Sequence, residues 1–427
     1  MKPRKKPTEA HELPASIPYT EDVSILSSPI ALGAHTVQNR ICYQPMEGCD
    51  GTRDGSPDEL TVRRYLRFAE GGAGLIWFEA TAIVPEGRAN PRQLYLTENN
   101  VRHFAALIES IKQTCLAKNG FLPVIVCQLT HSGRWSKPDG VPAPRIAYNK
   151  PIFEGSNPIP ASAIVTDEYL DALVECYVTS ARLAKMAGFD GVDIKACHGY
   201  LLSELLNAYL RPGKYGGSFE NRTRLFLDTV EAVRAALPSD FIVGSRFNAY
   251  DAYPHPYGFC DSGVAGVPDL TEAKFLAAEL DRKGTTLLNV TMGCPYTNHE
   301  VNRPTAFAVE EEPYRSIERM LEGAREVTNA APNALVVASG VTYLGALAPN
   351  VAAAGIANGD YHLVGFGRQT FSYPDLAKDI VTKGHMERDQ LCMTCGKCTQ
   401  LMRNGKTPGC VIFDKEVYLP LYKEIMQ

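Results

Sequence analysis

Short apolar runs alternate with longer amphipathic stretches over most of the chain. The runs are rich in Val and Ile and are continuous, which is typical of strands covered on both faces. They predict eight strands, at residues 39–46, 73–84, 121–131, 191–197, 241–250, 287–293, 334–340 and 361–371. Periodic stretches after each of them predict eight helices, at residues 57–70, 99–118, 167–187, 220–236, 270–283, 313–330, 344–358 and 374–383.

The order of these elements predicts the fold. Eight strands, each followed by a helix, are typical of a (β/α)8 TIM barrel. An open doubly wound sheet is the alternative, but it would carry a G-x-G-x-x-G turn between a strand and a helix. The glycine run at residues 71–74 lies between a helix and a strand instead. We therefore predict an α/β fold with a barrel over residues 23–384. A flexible, disordered arm is expected over residues 1–22, and a cysteine-rich segment with a short tail over residues 385–427.

Composition and charge narrow the classes of partner. Hydrophobic residues make up 45% of the chain and charged residues 21%, which is enough for a large core. The net charge of −5 is too small to indicate nucleic acid or an anionic membrane as a partner. No apolar run approaches the ~18–20 residues of a membrane span, and no apolar stretch follows the basic start as in a secretory signal. We expect a cytoplasmic chain.

The twelve cysteines fall into two groups. Eight are scattered, and we expect them to be reduced thiols. The other four crowd together as C-x2-C-x2-C-x11-C, at Cys392, Cys395, Cys398 and Cys410. Without an export signal, clustered cysteines favour a metal over disulfides. Four thiolates suit a [4Fe–4S] cluster, and they also suit a closed zinc site.

Polar residues and glycines follow the predicted strands, where a barrel carries its active site. From the third strand to the eighth they are Gln128, His131, Arg134, Lys195, His198, Tyr200, Arg246, His299, Ser339, Gly340, Gly365, Gly367 and Arg368. The last five suit a phosphate, because backbone N–H groups can approach the anion and a guanidinium adds a charge-assisted fork. Ordinary strand-end turns are the alternative. We expect His131 and Arg134 to hold the Pro-rich loop 134–164 rather than to take part in chemistry.

Several of these segments carry a resemblance to a known family. They are NRICYQPM (39–46), ATAIVPEGR (80–88), QLTHSGR (128–134), LVGFGR (363–368) and the long stretch 188–224, which contains YGGSFENR (215–222). In these segments and the terminal cysteines, the chain resembles the old yellow enzyme family of flavin mononucleotide (FMN) oxidoreductases. It is most similar to the iron–sulfur branch, which includes 2,4-dienoyl-CoA reductase and trimethylamine dehydrogenase. The resemblance runs from about residue 24 to residue 414.

The resemblance implies an FMN lying across the barrel mouth. Pro45, Met46 and Ala80 would line the ring, and Gln128 would bond its pyrimidine edge. Arg246 would place positive charge beside that edge and stabilise the anionic reduced flavin; an arginine paired with a carboxylate is the alternative. The phosphate would be held by Ser339, Gly340, Gly367 and Arg368.

The resemblance also assigns the substrate end, within KACHGY (195–200). Tyr200 matches the family's proton donor to carbon, and a packed aromatic is the alternative. Lys195 and His198 would polarise the acceptor group of the substrate. Many relatives carry a histidine where this chain has Lys195, whose ammonium is a compact point charge. His299, in the loop after the sixth strand, is a further candidate substrate residue.

In this context we favour a [4Fe–4S] cluster over zinc, although the family's usual string has one more residue between the second and third cysteines. Large relatives continue into a second half that binds FAD and pyridine nucleotide, and we expect this chain to lack it. Electrons would then come from NAD(P)H directly, from a separate reductase, or from a ferredoxin-like carrier.

We predict an FMN- and [4Fe–4S]-dependent ene-reductase that saturates an activated C=C bond in an enone, enoate or enoyl thioester. Two alternatives stay open: an amine dehydrogenase or demethylase that passes electrons outward, and an electron-relay flavoprotein subunit. Tyr200 favours the reductive role, since amine oxidation needs no proton donor to carbon. We expect a small-molecule substrate and a homo-oligomer.

Overall fold

Eight parallel strands close into a barrel in the computed structural model, which describes residues 5–305 and 311–427. A short antiparallel hairpin of β1 (Ile30–Leu32) and β2 (His35–Val37) precedes them. The barrel strands are β3 (Ile41–Tyr43), β4 (Leu75–Ala82), β5 (Val124–Thr130), β6 (Gly191–Ile194), β7 (Ile242–Tyr250), β8 (Leu287–Met292), β9 (Leu335–Ala338) and β10 (Leu363–Phe366). Neighbours in sequence are neighbours in the barrel, and β10 pairs with β3 to close it.

The helices lie between the strands and cover the barrel. They are α1 (Glu59–Glu70), α2 (Val101–Asn119), α3 (Pro151–Glu154), α4 (Asp167–Met186), α5 (Leu201–Leu206), α6 (Phe219–Ala236), α7 (Thr271–Arg282), α8 (Pro313–Ala330), α9 (Ala348–Ala357), α10 (Arg368–Ser372), α11 (Leu376–Lys383), α12 (Lys397–Arg403) and α13 (Lys415–Glu424). The predicted barrel fold is confirmed. Strand ends were predicted too long, most clearly in 361–371, because the chain turns into α10 directly after Gly367.

The inside of the barrel is apolar at the end where the strands begin. Leu32 and Val37 of the hairpin pack there against inward-facing residues of the barrel strands, among them Trp77 on β4. The hairpin therefore covers that end, and the opposite end, where the strands finish, is left for polar groups. The sequence pattern did not predict the hairpin, because strands of three residues are too short to show a periodicity.

The N-terminal arm was expected to be flexible over residues 1–22; the structure describes residues 5–22 in contact with the rest of the chain, and residues 1–4 lie outside the described residues. Ile17 is buried, and Asn350 donates to the Thr20 carbonyl at 2.8 Å. The Lys6 ammonium donates to the carbonyl of Cys392, so the arm also reaches the cysteine-rich segment. Pro7 is buried as well, and Leu13 and Tyr19 pack against the core, so the basic, Pro-rich composition concealed several apolar contacts.

The C-terminal segment has a small core of its own, formed by Leu401, Val411 and Tyr418. Arg63 and Arg67 of α1 both bind the Asp414 carboxylate, and these ion pairs attach the segment to the barrel. No helix in the described part of the chain is long and apolar enough to cross a membrane.

Candidate active site

A cavity of about 1060 Å³ opens at the end of the barrel where the strands finish. All nine residues expected to hold FMN line it: Pro45, Met46, Ala80, Gln128, Arg246, Ser339, Gly340, Gly367 and Arg368. The three residues of the substrate end, Lys195, His198 and Tyr200, line the same cavity. His299 is not among its lining residues, and its Nδ1 lies 3.2 Å from the Glu300 carboxylate.

The floor of the cavity is organised by Asp193, a fully buried residue of β6 that the sequence analysis did not single out. Its carboxylate accepts hydrogen bonds of 2.7 Å from the Trp77 indole, the Gln128 side-chain amide and the backbone N–H of Arg246. Burial raises the pKa of Asp193 to about 6, against the opposing effect of these hydrogen bonds. Gln128 and Arg246 are therefore attached to one carboxylate.

The guanidinium of Arg246 has no ion pair with the residues that the structure describes, so the alternative of a carboxylate-paired arginine is not observed. Its Nε is buried without a hydrogen-bond partner, and burial lowers the pKa of the side chain. A buried polar group without a partner is costly in the free protein. An electron-rich ring edge in the cavity, such as the pyrimidine edge of FMN, would satisfy it.

The far end of the cavity is positively charged. Gly340, with a φ of 95°, begins a turn after β9, and Gly367 precedes the first residue of α10. Arg368 donates to the Pro304 carbonyl at 3.2 Å, and Arg303 donates to Thr399 Oγ1 at 3.2 Å. Among the described side chains, neither arginine has a carboxylate partner. Burial, and then the charge of Arg368, lower the pKa of Arg303 to about 10. Two buried guanidiniums beside a glycine turn fit a phosphate.

Arg303 was missed by the sequence analysis. It lies in the loop after β8, outside any recognised motif, and only the folded chain brings it beside Arg368.

At the substrate end, Tyr200 lies between an acid, a phenol and an amine. Its hydroxyl is 3.3 Å from Glu47 Oε2 and 3.0 Å from the Tyr296 hydroxyl. The Lys195 Nζ lies 3.7 Å from the centre of the Tyr200 ring. Glu47, which the sequence analysis also missed, directly follows Met46 after β3. Its position shortly after a predicted strand could have indicated that it lies at the barrel mouth.

Burial controls the protonation of these groups. It raises the pKa of Tyr200 well above 10, with a further contribution from Glu47, so the phenol is protonated at neutral pH. It lowers the pKa of Lys195 and raises that of Glu47. It also lowers the pKa of His198 well below 6.5, with Arg246 and Lys195 acting in the same direction. His198 is therefore a neutral imidazole.

The backbone holds His198 in an unusual conformation. Its φ is 66°, in the left-handed region that a non-glycine residue seldom adopts. Its N–H donates to Asn248 Oδ1 at 3.2 Å, and its Nε2 lies 3.3 Å from Thr291 Oγ1. Strained positions of this kind concentrate at functional sites.

The loop 134–164 is fixed over the barrel by a buried network. Arg134 donates to Glu204 at 2.7 Å and also binds Glu154. His131 is buried, with its Nε2 at 2.8 Å from the Tyr169 hydroxyl, and it does not line the cavity. The contacts of Arg134 agree with its expected role in holding the loop, whereas His131 contacts Tyr169 of α4, outside the loop.

The four terminal cysteines line a second, smaller cavity of about 370 Å³. Backbone N–H groups of Thr394 and Phe413 donate to the sulfurs of Cys392 and Cys410, each at 3.4 Å. In residues 5–305 and 311–427, no three His, Cys, Asp or Glu side chains converge closely enough to hold a metal ion. Cys398 also lines the large cavity, so the two cavities share a wall.

The barrel and the residues at its mouth define a class, the flavin-dependent oxidoreductases. The sequence profile described as "NADH:flavin oxidoreductase / NADH oxidase family" matches residues 26–387, and the chain belongs to this family, that of old yellow enzyme.

Individual relatives agree with this placement. An NADH oxidase of Thermoanaerobacter brockii is 27% identical over 85% of this chain and 52% of its own length. An NADPH dehydrogenase of Geobacillus thermodenitrificans is 34% identical over 54% of this chain and 65% of its own length. The chain thus spans from about half to nearly two thirds of these relatives.

A solved structure of 2-naphthoyl-CoA reductase in complex with 2-naphthoyl-CoA has the same fold. Its TM-score is 0.76 at 20% identity, over 92% of this chain and 57% of that one.

Proposed function

We propose that the chain is an FMN-dependent ene-reductase that reduces a C=C bond activated by a carbonyl group. The observation that carries the proposal is the position of Lys195 over the Tyr200 ring, at 3.7 Å from its centre. The aromatic face that could receive a cationic amine is already covered by the amine of Lys195. The same arrangement places the protonated phenol of Tyr200 beside the Lys195 amine, which can donate a hydrogen bond to a carbonyl oxygen.

The proposed chemistry divides hydride and proton between two sources. The hydride for the β-carbon of the alkene would come from FMN that NAD(P)H has reduced. Tyr200 gives its proton to the α-carbon, and solvent restores that proton afterwards. Lys195 and neutral His198 donate hydrogen bonds to the carbonyl oxygen, where negative charge develops. The products are a saturated carbonyl compound and oxidised cofactor, so electrons and protons balance.

The wall of the cavity supports a flat, conjugated substrate. Tyr296 lines the cavity and stacks on Trp135, with ring centres 4.3 Å apart and planes at 14°. Such a surface favours planar ligands by stacking. Together with the 2-naphthoyl-CoA held by the similar reductase, which is an aromatic thioester, this surface supports enoyl or aromatic thioesters as well as enones.

The test is an anaerobic half-reaction. The protein is photoreduced and mixed with enones, enoyl thioesters and amines, and flavin absorbance is followed. Reoxidation by the alkenes, with saturated product, is expected. If amines instead reduce the oxidised protein, Glu47 is a counterion for a substrate ammonium and the enzyme is an amine dehydrogenase. If neither class reacts, while an external reductase still reduces the flavin, the chain is an electron relay.

We further propose a [4Fe–4S] cluster on Cys392, Cys395, Cys398 and Cys410. Its basis is the cavity that all four cysteines line, where backbone N–H groups reach two of the sulfurs. Four thiolates are the ligand set of such a cluster, and a closed zinc site is the alternative.

Metal analysis tests this second proposal. Anaerobically prepared protein should contain about four irons and four sulfides per chain. Cys410→Ser should lose iron while keeping most of its FMN, because Cys410 lines the smaller cavity and is not among the residues that line the large one. Zinc in place of iron would overturn the proposal.

NAD(P)H is the proposed electron donor, because the relatives are named as an NADH oxidase and an NADPH dehydrogenase. A separate reductase or ferredoxin-like carrier, docked near the cysteines, is the second candidate. Flavin reduction by NADH and NADPH, each alone and then with a reduced ferredoxin, distinguishes them.

A further inference from the structure

Asp193 has a role at the floor of the cavity that goes beyond filling space. It has no ion pair with the described residues, and its carboxylate is satisfied by three N–H donors at 2.7 Å each. Two of the three, the Trp77 indole and the Arg246 backbone, can only donate. The Asp193 carboxylate therefore accepts all of its hydrogen bonds and donates none.

This environment determines how the neighbouring amide must be turned. The Gln128 side chain has a donor end and an acceptor end, and only the donor end can face an ionised carboxylate. Its Nε2 donates to Asp193 Oδ2. Gln128 lines the cavity, and no described residue donates a hydrogen bond to its Oε1. The oxygen is thus the end available to a ligand.

We propose that Asp193 is a positioning residue that fixes the Gln128 amide with its oxygen toward the cavity, and so makes this floor selective for a ring edge that carries an N–H. The pyrimidine edge of FMN carries one such group, N3–H, between two carbonyls. The inference rests on the proposed function only through the identity of this cofactor. The inference adds Asp193 as the residue that determines which end of the Gln128 amide faces the cofactor.

The same carboxylate also anchors the backbone of Arg246, whose guanidinium is unpaired in the described part of the chain. Asp193 is therefore a buried negative charge beside the positive charge that would favour anionic reduced flavin. Replacing this carboxylate by a neutral group should raise the reduction potential of the bound flavin. A residue that acted only in packing would leave the potential unchanged.

The test compares two ligands that differ in one donor. Apoprotein is titrated with FMN and with 3-deaza-FMN, in which C–H replaces the N3–H, and binding is followed by flavin fluorescence. The wild-type protein should prefer FMN by about tenfold, the value of one hydrogen bond. In Asp193→Asn, an amide that both donates and accepts no longer selects one orientation, and the preference should fall to about threefold or less.

Trp77→Phe is the matched control. It removes one donor from the same carboxylate oxygen and leaves the Gln128 bond, so the preference should stay at the wild-type value. If Asp193→Asn does not fold, Asp193→Ser is used, since a hydroxyl also both donates and accepts.

Equal binding of the two ligands by the wild type would overturn the inference, and so would an unchanged preference in the variant. These outcomes are independent of alkene reduction, so failure of the proposed function is recognised separately, by the absence of turnover.

Discussion

The phenol of Tyr200 is the residue on which the proposed proton transfer depends. Tyr200→Phe removes the hydroxyl and keeps the ring under Lys195. Because general acid catalysis is worth about 10²- to 10⁴-fold, we expect alkene reduction to slow by that range in stopped-flow reoxidation, with unchanged flavin content. The loss should be smaller for nitroalkenes, whose anion can take a proton from water. A wild-type rate with weakly activated enones would show that the proton has another source.

Glu47 should make this acid sensitive to pH. Burial raises the pKa of Glu47, and its negative charge raises that of Tyr200. As pH rises through the pKa of Glu47, the carboxylate ionises, Tyr200 becomes a weaker acid, and the rate of substrate reduction should fall. The fall should be about tenfold at most, the effect of one pKa unit.

Glu47→Gln removes this titration while keeping the shape of the side chain. The falling limb of the pH–rate profile should flatten, whereas Tyr296→Phe, which removes the other hydroxyl near Tyr200, should retain it. The same limb in Glu47→Gln would assign the titration to a different group.

At the scale of elements, the loop after β3 is held by a buried ion cluster. Arg64 of α1 binds both Asp50 and Glu79, and Glu79 accepts a hydrogen bond of 2.7 Å from the backbone of Gly48. This cluster positions the segment that carries Met46 and Glu47 in the cavity.

Arg64→Met should therefore destabilise the protein by about 3–5 kcal/mol, because it leaves two buried carboxylates without their cation. Urea unfolding measures the change. Arg63→Met is the control, since its pair with Asp414 is partly exposed and a loss of about 0–1 kcal/mol is expected. Adding Asp50→Asn and Glu79→Gln to Arg64→Met should recover part of the stability. A small effect of Arg64→Met alone would mean that the carboxylates find other partners.

At the scale of the whole molecule, the barrel was predictable because its pattern is repeated eight times. Each buried strand and each covering helix has its own hydrophobic pattern. Because the strand–helix order repeats eight times, an error in the end of one element does not change the predicted fold. The predicted residues that line the cavity were found for a related reason, since most of them follow strands at the mouth. Arg303 and Asp193 were not, because a loop residue and an inward residue within a strand acquire their roles only from neighbours distant in sequence. The contacts of residues 5–22 with the barrel were not predictable, because the few apolar residues of the arm, Ile17 among them, show no periodic pattern.

The cavity as a whole should couple FMN binding to folding. A ligand at 100 times its Kd stabilises the native state by about 2.7 kcal/mol, so FMN should raise the Tm of the apoprotein by several degrees. Riboflavin, which lacks the phosphate, should raise it less at equal concentration, because it leaves Arg303 and Arg368 without an anion. Equal shifts in differential scanning fluorimetry would show that these arginines do not bind the phosphate.

The hairpin of β1 and β2 lies at the opposite end of the barrel from this cavity, yet we expect it to affect the colour of the protein with FMN bound. It covers the apolar layer that contains Trp77, and Trp77 donates to Asp193 at the floor of the cavity. Water entering through that end would raise the effective dielectric constant and weaken the electric fields of Asp193 and Arg246. Val37→Ser should therefore shift the visible absorption bands of bound flavin, although no hairpin residue lines the cavity. The spectrum of the cofactor would then report on how well the opposite end of the barrel is closed.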